Sequence, residues 1–365
     1  MTRREVCKLL GELFVVGLPG PALDGATRDF ITTFGPGGVI LFQRNAGDLE
    51  SVQALCEEVH ALRPVRSPLV AIDHEGGRVV RLGAPFTRFP AAARIGRAGS
   101  PSLAARVGEA MGAELRAVGI DVDFAPVLDV LTRAENAVVG DRAFSSSPQT
   151  AARMGGAFIV GLRQAGVIAC GKHFPGHGHA DADSHVALPR VEKAYDELVR
   201  AELLPFRRAI TARVPSLMTA HVLYPALDPV LPATLSPAVL TDLLRGRLGY
   251  RGVVITDDLE MGAIAACGDT VAQGAVRALA AGADVVLVCH SWEQAREARA
   301  ACERAVLDAT LPVKRVEEAW RRVAALKGYH FRRTALRPAP LAVVGCRKHQ
   351  ELVEEVEGRA SRAGA

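Results

Sequence analysis

The chain lacks the cysteine arrangements that indicate a disulfide framework or a zinc knuckle. Its 365 residues include seven cysteines, an odd number, and no two of them stand at C-x-x-C spacing. Secreted disulfide scaffolds use paired cysteines, and structural zinc sites use closely spaced ones. The cysteine pattern therefore favours a reducing compartment, and we expect a cytoplasmic location.

Long apolar runs are also absent. A transmembrane helix needs roughly 20 consecutive apolar residues, and no run in the sequence approaches that length. Residues 1–20 have a basic start and an apolar run, but Glu5 and Glu12 interrupt it and no clean cleavage site follows. We interpret this segment as a helix that leads into a strand rather than as a signal peptide.

The sequence also has no segment in which charged residues of a single sign are concentrated. The 44 basic and 40 acidic residues give a net charge of +4 and are mixed along the chain. Proteins that bind nucleic acids usually concentrate Lys and Arg in one segment or on one face. The sequence therefore predicts neither a nucleic-acid partner nor a membrane partner.

The sequence does contain a series of short runs rich in Val, Ile and Leu. Each run is almost continuously apolar, as parallel strands buried on both faces are, and segments with helical spacing lie between the runs. Eight β/α alternations predict an α/β fold, a single-domain (β/α)8 TIM-type barrel. A doubly wound sheet is the alternative, but it would not require eight strands. The runs lie at residues 12–18, 37–42, 68–73, 119–127, 166–174, 215–223, 252–258 and 282–289.

The alternating pattern weakens after about residue 330. We therefore predict a catalytic barrel over residues 1–330. Residues 331–365 are expected to form a short C-terminal extension with a partly mobile end. No function for this extension follows from the sequence.

Several of the apolar runs end in aspartate, lysine, histidine or cysteine. The carboxyl ends of barrel strands surround the active site, so these side chains are candidates for one shared site. They are Asp73 and His74, Asp123, Lys172 and His173, His221, Asp257 and Asp258, and Cys289 and His290.

The stretch GKHFPGHGHADADSHVALP (171–189) concentrates histidine, aspartate and glycine. Metal coordination is one interpretation, but neither HExxH nor another ligand pattern accompanies these side chains. A phosphate nest built on the glycines is a second, but no Walker pattern is present. We predict no metal site, and we interpret His177 and His179 as polar loop residues that cap neighbouring strands.

Acid–base catalysis is the third interpretation of this stretch. Asp183 and His185 are two residues apart, and on an extended segment such residues project to the same side. The carboxylate can hold the imidazole and fix its tautomer, which makes the histidine a candidate general acid. A nucleophile must come from another strand, and Asp257 at the end of the seventh run is in the right place.

Five motifs, in order along residues 10–325, resemble those of glycoside hydrolase family 3. Within that family they are most similar to the cytoplasmic β-N-acetylhexosaminidase branch, which acts in bacterial cell-wall recycling. The motifs are AIDHEGGRVVRL (71–82), DFAPVLDV (123–130), VVGDRAF (138–144), KHFPGHG with DSH (172–178 and 183–185) and TDDLEMGAI (256–264).

The resemblance implies a role for each matching position. Asp257 corresponds to the nucleophile that forms a covalent glycosyl-enzyme, His185 to the acid/base, and Asp183 to its dyad partner. Asp258 is the rival for nucleophile, but the family pattern puts the nucleophile first in this pair, so we expect Asp258 to support or cap the following helix. The positions that correspond to residues gripping the sugar hydroxyls are Asp73, Arg81, Arg142, Lys172 and His173.

The activity implied is that of a retaining exo-β-N-acetylglucosaminidase. It would hydrolyse terminal non-reducing N-acetylhexosamine residues of muropeptides or chitooligosaccharides without a metal or organic cofactor, as a monomer or weak dimer. A β-N-acetylglucosaminide phosphorylase and a β-glucosidase on the same fold are the alternatives. A non-enzymatic sugar-binding receptor is a further alternative, which the intact Asp257, Asp183 and His185 argue against.

Overall fold

The computed structural model describes residues 1–63, 65–335 and 339–363. Its strands form one closed barrel in which each strand pairs in parallel with the next, and the last pairs with the first. The predicted (β/α)8 barrel is therefore confirmed, and each of the eight apolar runs contains one strand. The strands are β1 (Phe14–Gly17), β2 (Gly38–Leu41), β3 (Leu69–Ile72), β4 (Val122–Asp123), β5 (Ile168–Phe174), β6 (Ser216–Thr219), β7 (Val253–Asp258) and β8 (Val285–Val288).

Most of the barrel strands are buried on both faces. Strands β1, β2, β3, β6 and β8 are buried along their whole length. The gap between the inward-facing side chains is only about 30 Å³. The interior is thus a packed core and not a pore, as in other barrels of this type.

Helices cover the outside of the barrel, and side-chain caps define where several of them begin. Asp24, Asp48, Ser100 and Ser147 each accept a hydrogen bond from the backbone N–H three residues later, which satisfies a donor that the helix cannot. The α-helices are α1 (Arg3–Cys7), α2 (Gly25–Phe34), α3 (Leu49–Ala61), α4 (Ala92–Arg97), α5 (Pro101–Ala117), α6 (Pro148–Ala165), α7 (Tyr195–Arg200), α8 (Leu203–Thr211), α9 (Gly262–Ala266), α10 (Val271–Ala281), α11 (Trp292–Leu307), α12 (Val313–Ala335) and α13 (Arg347–Arg362). A π-helix spans Ala238–Arg247.

The C-terminal part of the chain is helical and packs on the barrel. Helix α12 passes through residue 330, so the predicted division between barrel and extension falls inside a helix. Helix α13 packs against α4 and α5. The division stays a prediction, and residues 336–338 and 364–365 of the predicted extension lie outside the described residues.

Among residues 1–63, 65–335 and 339–363, no helix combines the length and the apolarity needed to cross a bilayer.

Candidate active site

A cavity of about 380 Å³ lies at the carboxyl ends of the strands, where the barrel fold predicts the active site. It collects the predicted site residues from strands and loops that are far apart in sequence. Asp183 does not line the cavity but contacts His185, which does. The predicted residues that line it are Asp73, Arg81, Arg142, Lys172, His173, His185 and Asp257.

A larger cavity of about 920 Å³ contains none of these residues. Glu12 and Asp121, which precede β1 and β4, line it, so it lies at the opposite, amino-terminal end of the barrel. Barrel enzymes place their chemistry at the carboxyl ends. The smaller cavity is therefore the candidate active site, on the basis of its side chains.

Lys172 and His173 are adjacent in β5, yet both side chains line the cavity. Neighbouring residues of a regular strand point to opposite faces. The pairing of β5 with β6 is irregular between Gly171 and Phe174, and such irregularities re-aim side chains next to active sites. A similar change in register occurs between β7 and β8 at Ile255 to Asp258.

The buried Lys172 lies between two carboxylates. Its Nζ donates to Oδ1 of Asp73 at 2.7 Å and is also 2.7 Å from Oε1 of Glu75. Burial alone would lower the pKa of Lys172, but these two negative charges outweigh burial and raise it above its ordinary value. Lys172 is therefore a permanent cation at the floor of the cavity.

Glu75 holds a second cation, Arg142, in a fixed orientation. Nε and Nη2 of Arg142 donate to the two carboxylate oxygens of Glu75, each at 2.8 Å. This two-point contact fixes the plane of the guanidinium. Burial alone would raise the pKa of Glu75, but Lys172 and Arg142 hold it well below its usual value.

Arg81 is held less tightly than Arg142. Its Nη2 lies 3.6 Å from Oδ2 of Asp73, and its buried Nε has no hydrogen-bond partner among the described residues. A buried donor without a partner is costly. The guanidinium of Arg81 is thus ready to bind an oxygen of a ligand.

His173 is oriented by Asp129, which is fully buried. Nδ1 of His173 lies 2.7 Å from Oδ2 of Asp129, and the backbone N–H groups of His173 and His177 donate to Oδ1. Because a carboxylate only accepts, Nδ1 carries a proton. That leaves Nε2 of His173 as the ring atom available to a ligand.

Asp257 and Asp258 differ in pKa although they are adjacent. Burial alone would raise the pKa of Asp257, but the imidazoles of His173 and His221 and the N–H of Asp258 outweigh it and lower the pKa. Burial and the nearby carboxylates of Glu260 and Asp257 raise the pKa of Asp258 to about 7. Asp257 is therefore the carboxylate of this pair that stays ionised in weakly acidic solution.

His185 and Asp183 form the predicted contact, but in a turn and not on the extended segment that we expected, since the N–H groups of Val186 and Ala187 both donate to the carbonyl of Asp183. Nδ1 of His185 lies 2.8 Å from Oδ1 of Asp183, and the backbone N–H of His185 donates to the same oxygen at 2.9 Å. The side chain of His185 is 65% exposed. The imidazole therefore sits at the mouth of the cavity, where a ligand and water can both reach it.

The structure corrects the interpretation of His177 and adds two residues that sequence reasoning missed. His177 is buried and lines the cavity, and its Nε2 lies 3.1 Å from Oγ of Ser184, between the two dyad residues. It therefore supports the loop that carries Asp183 and His185 rather than capping a strand. Glu75 and Asp129 are the missed residues, although both lie inside motifs of the family resemblance.

In the ranges 1–63, 65–335 and 339–363, no group of three or more His, Cys, Asp or Glu side chains is arranged to hold a metal ion. His179 is hydrogen-bonded to Thr132 and does not line the cavity.

Comparison with known proteins gives the same family as the motifs. Residues 7–326 match the glycosyl hydrolase family 3 N terminal domain. The chain is 46% identical over 292 residues to a β-hexosaminidase of Alkalilimnicola ehrlichii, which covers 78% of this chain and 82% of that protein. It is 46% identical over 269 residues to a β-hexosaminidase of Pseudomonas aeruginosa, covering 73% of this chain and 79% of that protein.

Two solved structures resemble the fold closely. A glycoside hydrolase family 3 β-N-acetylglucosaminidase from Paenibacillus sp. superposes with a TM-score of 0.92 at 39% identity, over 99% of this chain and 69% of that chain. NagZ from Neisseria gonorrhoeae in complex with N-trifluoroacetyl-D-glucosamine superposes with a TM-score of 0.75 at 32% identity, over 96% of this chain and 98% of that chain. The chain belongs to glycosyl hydrolase family 3.

Proposed function

We propose that the protein is a retaining exo-β-N-acetylglucosaminidase. The observation that carries this proposal is one cavity that contains an ionised carboxylate, Asp257, and a carboxylate-held imidazole, His185. A nucleophile and a proton donor are the two groups that retaining glycoside hydrolysis requires. The names of the β-hexosaminidase relatives and of the Paenibacillus β-N-acetylglucosaminidase support the choice of sugar.

In the first chemical step, a carboxylate oxygen of Asp257 attacks the anomeric carbon while the bond to the glycosidic oxygen breaks. Nδ1 of His185 is held by Asp183, so Nε2 gives its proton to the departing oxygen. Oδ1 of Asp257 accepts the N–H of Asp258 at 2.9 Å. This contact fixes the carboxylate and leaves Oδ2 as the attacking atom.

In the second step, water takes the place of the leaving group. Nε2 of His185 removes a proton from the water, whose oxygen bonds to the anomeric carbon as the bond to Asp257 breaks. Two displacements at the same carbon retain the β-configuration. The exposure of His185 at the mouth of the cavity suits a group that must meet both the aglycone and water.

The remaining predicted residues would bind the terminal sugar. Lys172, Arg142 and Arg81 supply fixed donors, Asp73 an acceptor, and His173 a ring nitrogen, and such a mixture suits a polyhydroxylated ring. The cavity is at the small end of the usual range for ligand sites. That size fits a single terminal residue, as an exo-acting enzyme requires.

The proposed physiological substrates are N-acetylglucosamine-containing muropeptide fragments in the cytoplasm. Comparison of kcat/KM on such fragments and on chitooligosaccharides tests this part of the proposal. Higher kcat/KM on chitooligosaccharides would contradict the muropeptide assignment but leave the N-acetylglucosaminidase activity intact.

A phosphorylase is the second candidate, because the acid/base is a histidine. A neutral imidazole does not repel an incoming phosphate, whereas a carboxylate would. In that reaction phosphate oxygen, rather than water oxygen, would take the sugar from Asp257.

One experiment separates these activities. Aryl β-glycosides that carry either an N-acetylamino or a hydroxyl group at C2 are incubated with the enzyme, with and without phosphate. We expect release of free N-acetylglucosamine at a rate that phosphate does not change. Formation of the sugar 1-phosphate would identify a phosphorylase, preference for the glucoside a β-glucosidase, and no turnover a binding protein.

A further inference from the structure

Residues 341–362, which include helix α13, lie beyond the segment that matches the family domain. They pack against α4, α5 and the loop between β3 and α4, defined here as residues 73–91. That loop carries Asp73, Glu75 and Arg81. The C-terminal segment is therefore next to the part of the barrel that holds the sugar-binding side chains.

The connection between the two is the carboxylate of Glu114 in α5, which is 2% exposed. From the C-terminal segment, Nδ1 of His349 lies 2.6 Å from Oε1 of Glu114, and the N–H of Gly345 donates to the same oxygen at 3.1 Å. From the loop, Thr87 donates its hydroxyl to Oε1 at 2.6 Å and its N–H to Oε2 at 2.8 Å. One buried carboxylate thus joins both segments.

The C-terminal segment makes two further packing contacts with the loop. The ring of His349 lies 6.2 Å from the ring of Phe89, centroid to centroid. Gly345 has a φ of +64°, and a Cβ on it would lie 2.1 Å from the carbonyl oxygen of Pro85. Only glycine allows so close an approach in this conformation.

Backbone hydrogen bonds connect Thr87 to the part of the loop that lies at the active site. The N–H of Phe89 donates to the carbonyl of Thr87 at 3.0 Å, and the N–H of Gly77 donates to the carbonyl of Phe89 at 2.9 Å. Gly77 lies in the turn between Glu75 and Arg81. The position of that turn determines the position of the Glu75 carboxylate, which contacts Arg142 and Lys172. It also determines where the side chain of Arg81 enters the cavity.

We propose that Glu114 and His349 are positioning residues, through which the C-terminal segment holds the β3–α4 loop in its sugar-binding geometry. The proposal rests on the proposed function, because it concerns the same site. It gives the C-terminal segment a role in binding the terminal sugar. Glu114 and His349 do not line the cavity and act only through the loop.

The test removes the contact of His349 and compares it with a matched contact of the same helix. His349→Ala loses the donor to Glu114, and His349→Asn retains an N–H donor near the place of Nδ1. Glu355→Gln is the control, because Glu355 pairs with Arg106 at 2.7 Å and joins α13 to α5 without contacting the loop. Thr87→Ala removes the hydroxyl contact from the loop side and replaces His349→Ala if that variant does not fold.

We expect His349→Ala to raise KM for an aryl N-acetylglucosaminide by about tenfold with little change in kcat, since lost support of binding groups weakens ground and transition states alike. His349→Asn should restore most of the affinity. Amide hydrogen exchange of residues 75–89 should accelerate in His349→Ala and not in Glu355→Gln. Equal KM and exchange in His349→Ala and Glu355→Gln, whatever their melting temperatures, would overturn the proposal.

Hydrogen exchange and calorimetric binding of N-acetylglucosamine do not require turnover. A wild-type protein that binds the sugar but hydrolyses no glycoside would contradict the proposed function. The positioning role would still be supported if His349→Ala weakened that binding. An active wild type with an unchanged loop in His349→Ala would contradict the positioning role alone.

Discussion

The carbonyl oxygen of His185 accepts a hydrogen bond of 3.1 Å from the backbone N–H of Gly262. The neighbouring N–H of Ala263 donates to the carbonyl of Ser184, also at 3.1 Å. Gly262 follows Asp257 by five residues and is the first residue of α9. The segment with the proposed proton donor is thus docked directly on the segment that follows the proposed nucleophile.

Gly262→Ala should disturb this docking. A Cβ at this position would lie 2.7 Å from the carbonyl oxygen of His185 and 3.0 Å from that of Val186, so the acid/base loop must shift. Because a displacement of about 1 Å can cost roughly 10²-fold in rate, we expect kcat/KM to fall by about 10- to 100-fold. Gly20→Ala is the control, since a Cβ there meets nothing within 4 Å. Equal kcat/KM in the two variants would show that the docking contact does not position His185.

Asp257→Ala should be almost inactive on every substrate, whatever the leaving group, because the variant cannot form the glycosyl-enzyme. A mechanism-based fluorosugar should label Asp257, whose pKa is lowered, and not Asp258, whose pKa of about 7 keeps it largely protonated in weak acid. Peptide mapping of the labelled protein identifies the residue. A label on Asp258 would reverse the two assignments.

The loss of activity in His185→Ala should depend strongly on the leaving group of the substrate. A positioned general acid contributes about 10²- to 10⁴-fold, and a departing oxygen that needs a proton should lose most of that factor. An activated aryl leaving group departs without a proton, so its cleavage should lose far less. Kinetics on a natural disaccharide and on a nitrophenyl glycoside measure the difference. An equal loss on both substrates would exclude the acid/base role.

Asp258→Asn should change how the stability of the protein depends on pH. The pKa of Asp258 is about 7 in the folded protein and about 3.9 for an unfolded aspartate. Between these values the folded state binds more protons, so the wild-type free energy of unfolding falls as the pH rises. The asparagine variant lacks this contribution.

The stability of Asp258→Asn relative to wild type should therefore increase from about pH 4 to pH 7 and then level off. A pKa that differs by one between the folded and unfolded states corresponds to about 1.4 kcal/mol. The difference in free energy of unfolding between Asp258→Asn and the wild type should thus change by at most a few kcal/mol over this pH range. The side chain of Asp258 also accepts hydrogen bonds from the N–H groups of Glu260 and Cys289. Denaturant titrations at several pH values measure it. A stability difference that is constant with pH would contradict the raised pKa.

Much of the architecture could be predicted from the local pattern of the chain. Eight apolar runs separated by helical segments led to the barrel, and polar residues at the ends of those runs marked its active end. The Asp183–His185 contact was also predicted, although the backbone that brings the two side chains together is a turn and not the extended segment that we expected. Family motifs selected Asp257 before Asp258, and the lowered pKa of the first and the raised pKa of the second agree with that choice.

The partners of these side chains could not be predicted in the same way. Glu75 contacts Arg142 across 67 residues, His173 contacts Asp129 across 44, and Glu114 contacts His349 across 235. The changes in register at β5 and β7 also depend on how each strand pairs with its neighbour.

The sequence by itself determined the barrel and predicted which of its ends holds the site, because both follow from short apolar runs and the polar residues at their ends. The roles of Asp257 and His185 rest on the family resemblance and stay predictions. Only the tertiary structure decided which buried carboxylate orients each cation and imidazole, that His177 supports the loop with Asp183 and His185, and that the C-terminal segment reaches the β3–α4 loop. Such contacts depend on the closure of the barrel and on the packing of distant helices against it. Neither can be predicted from the spacing of residues along the chain.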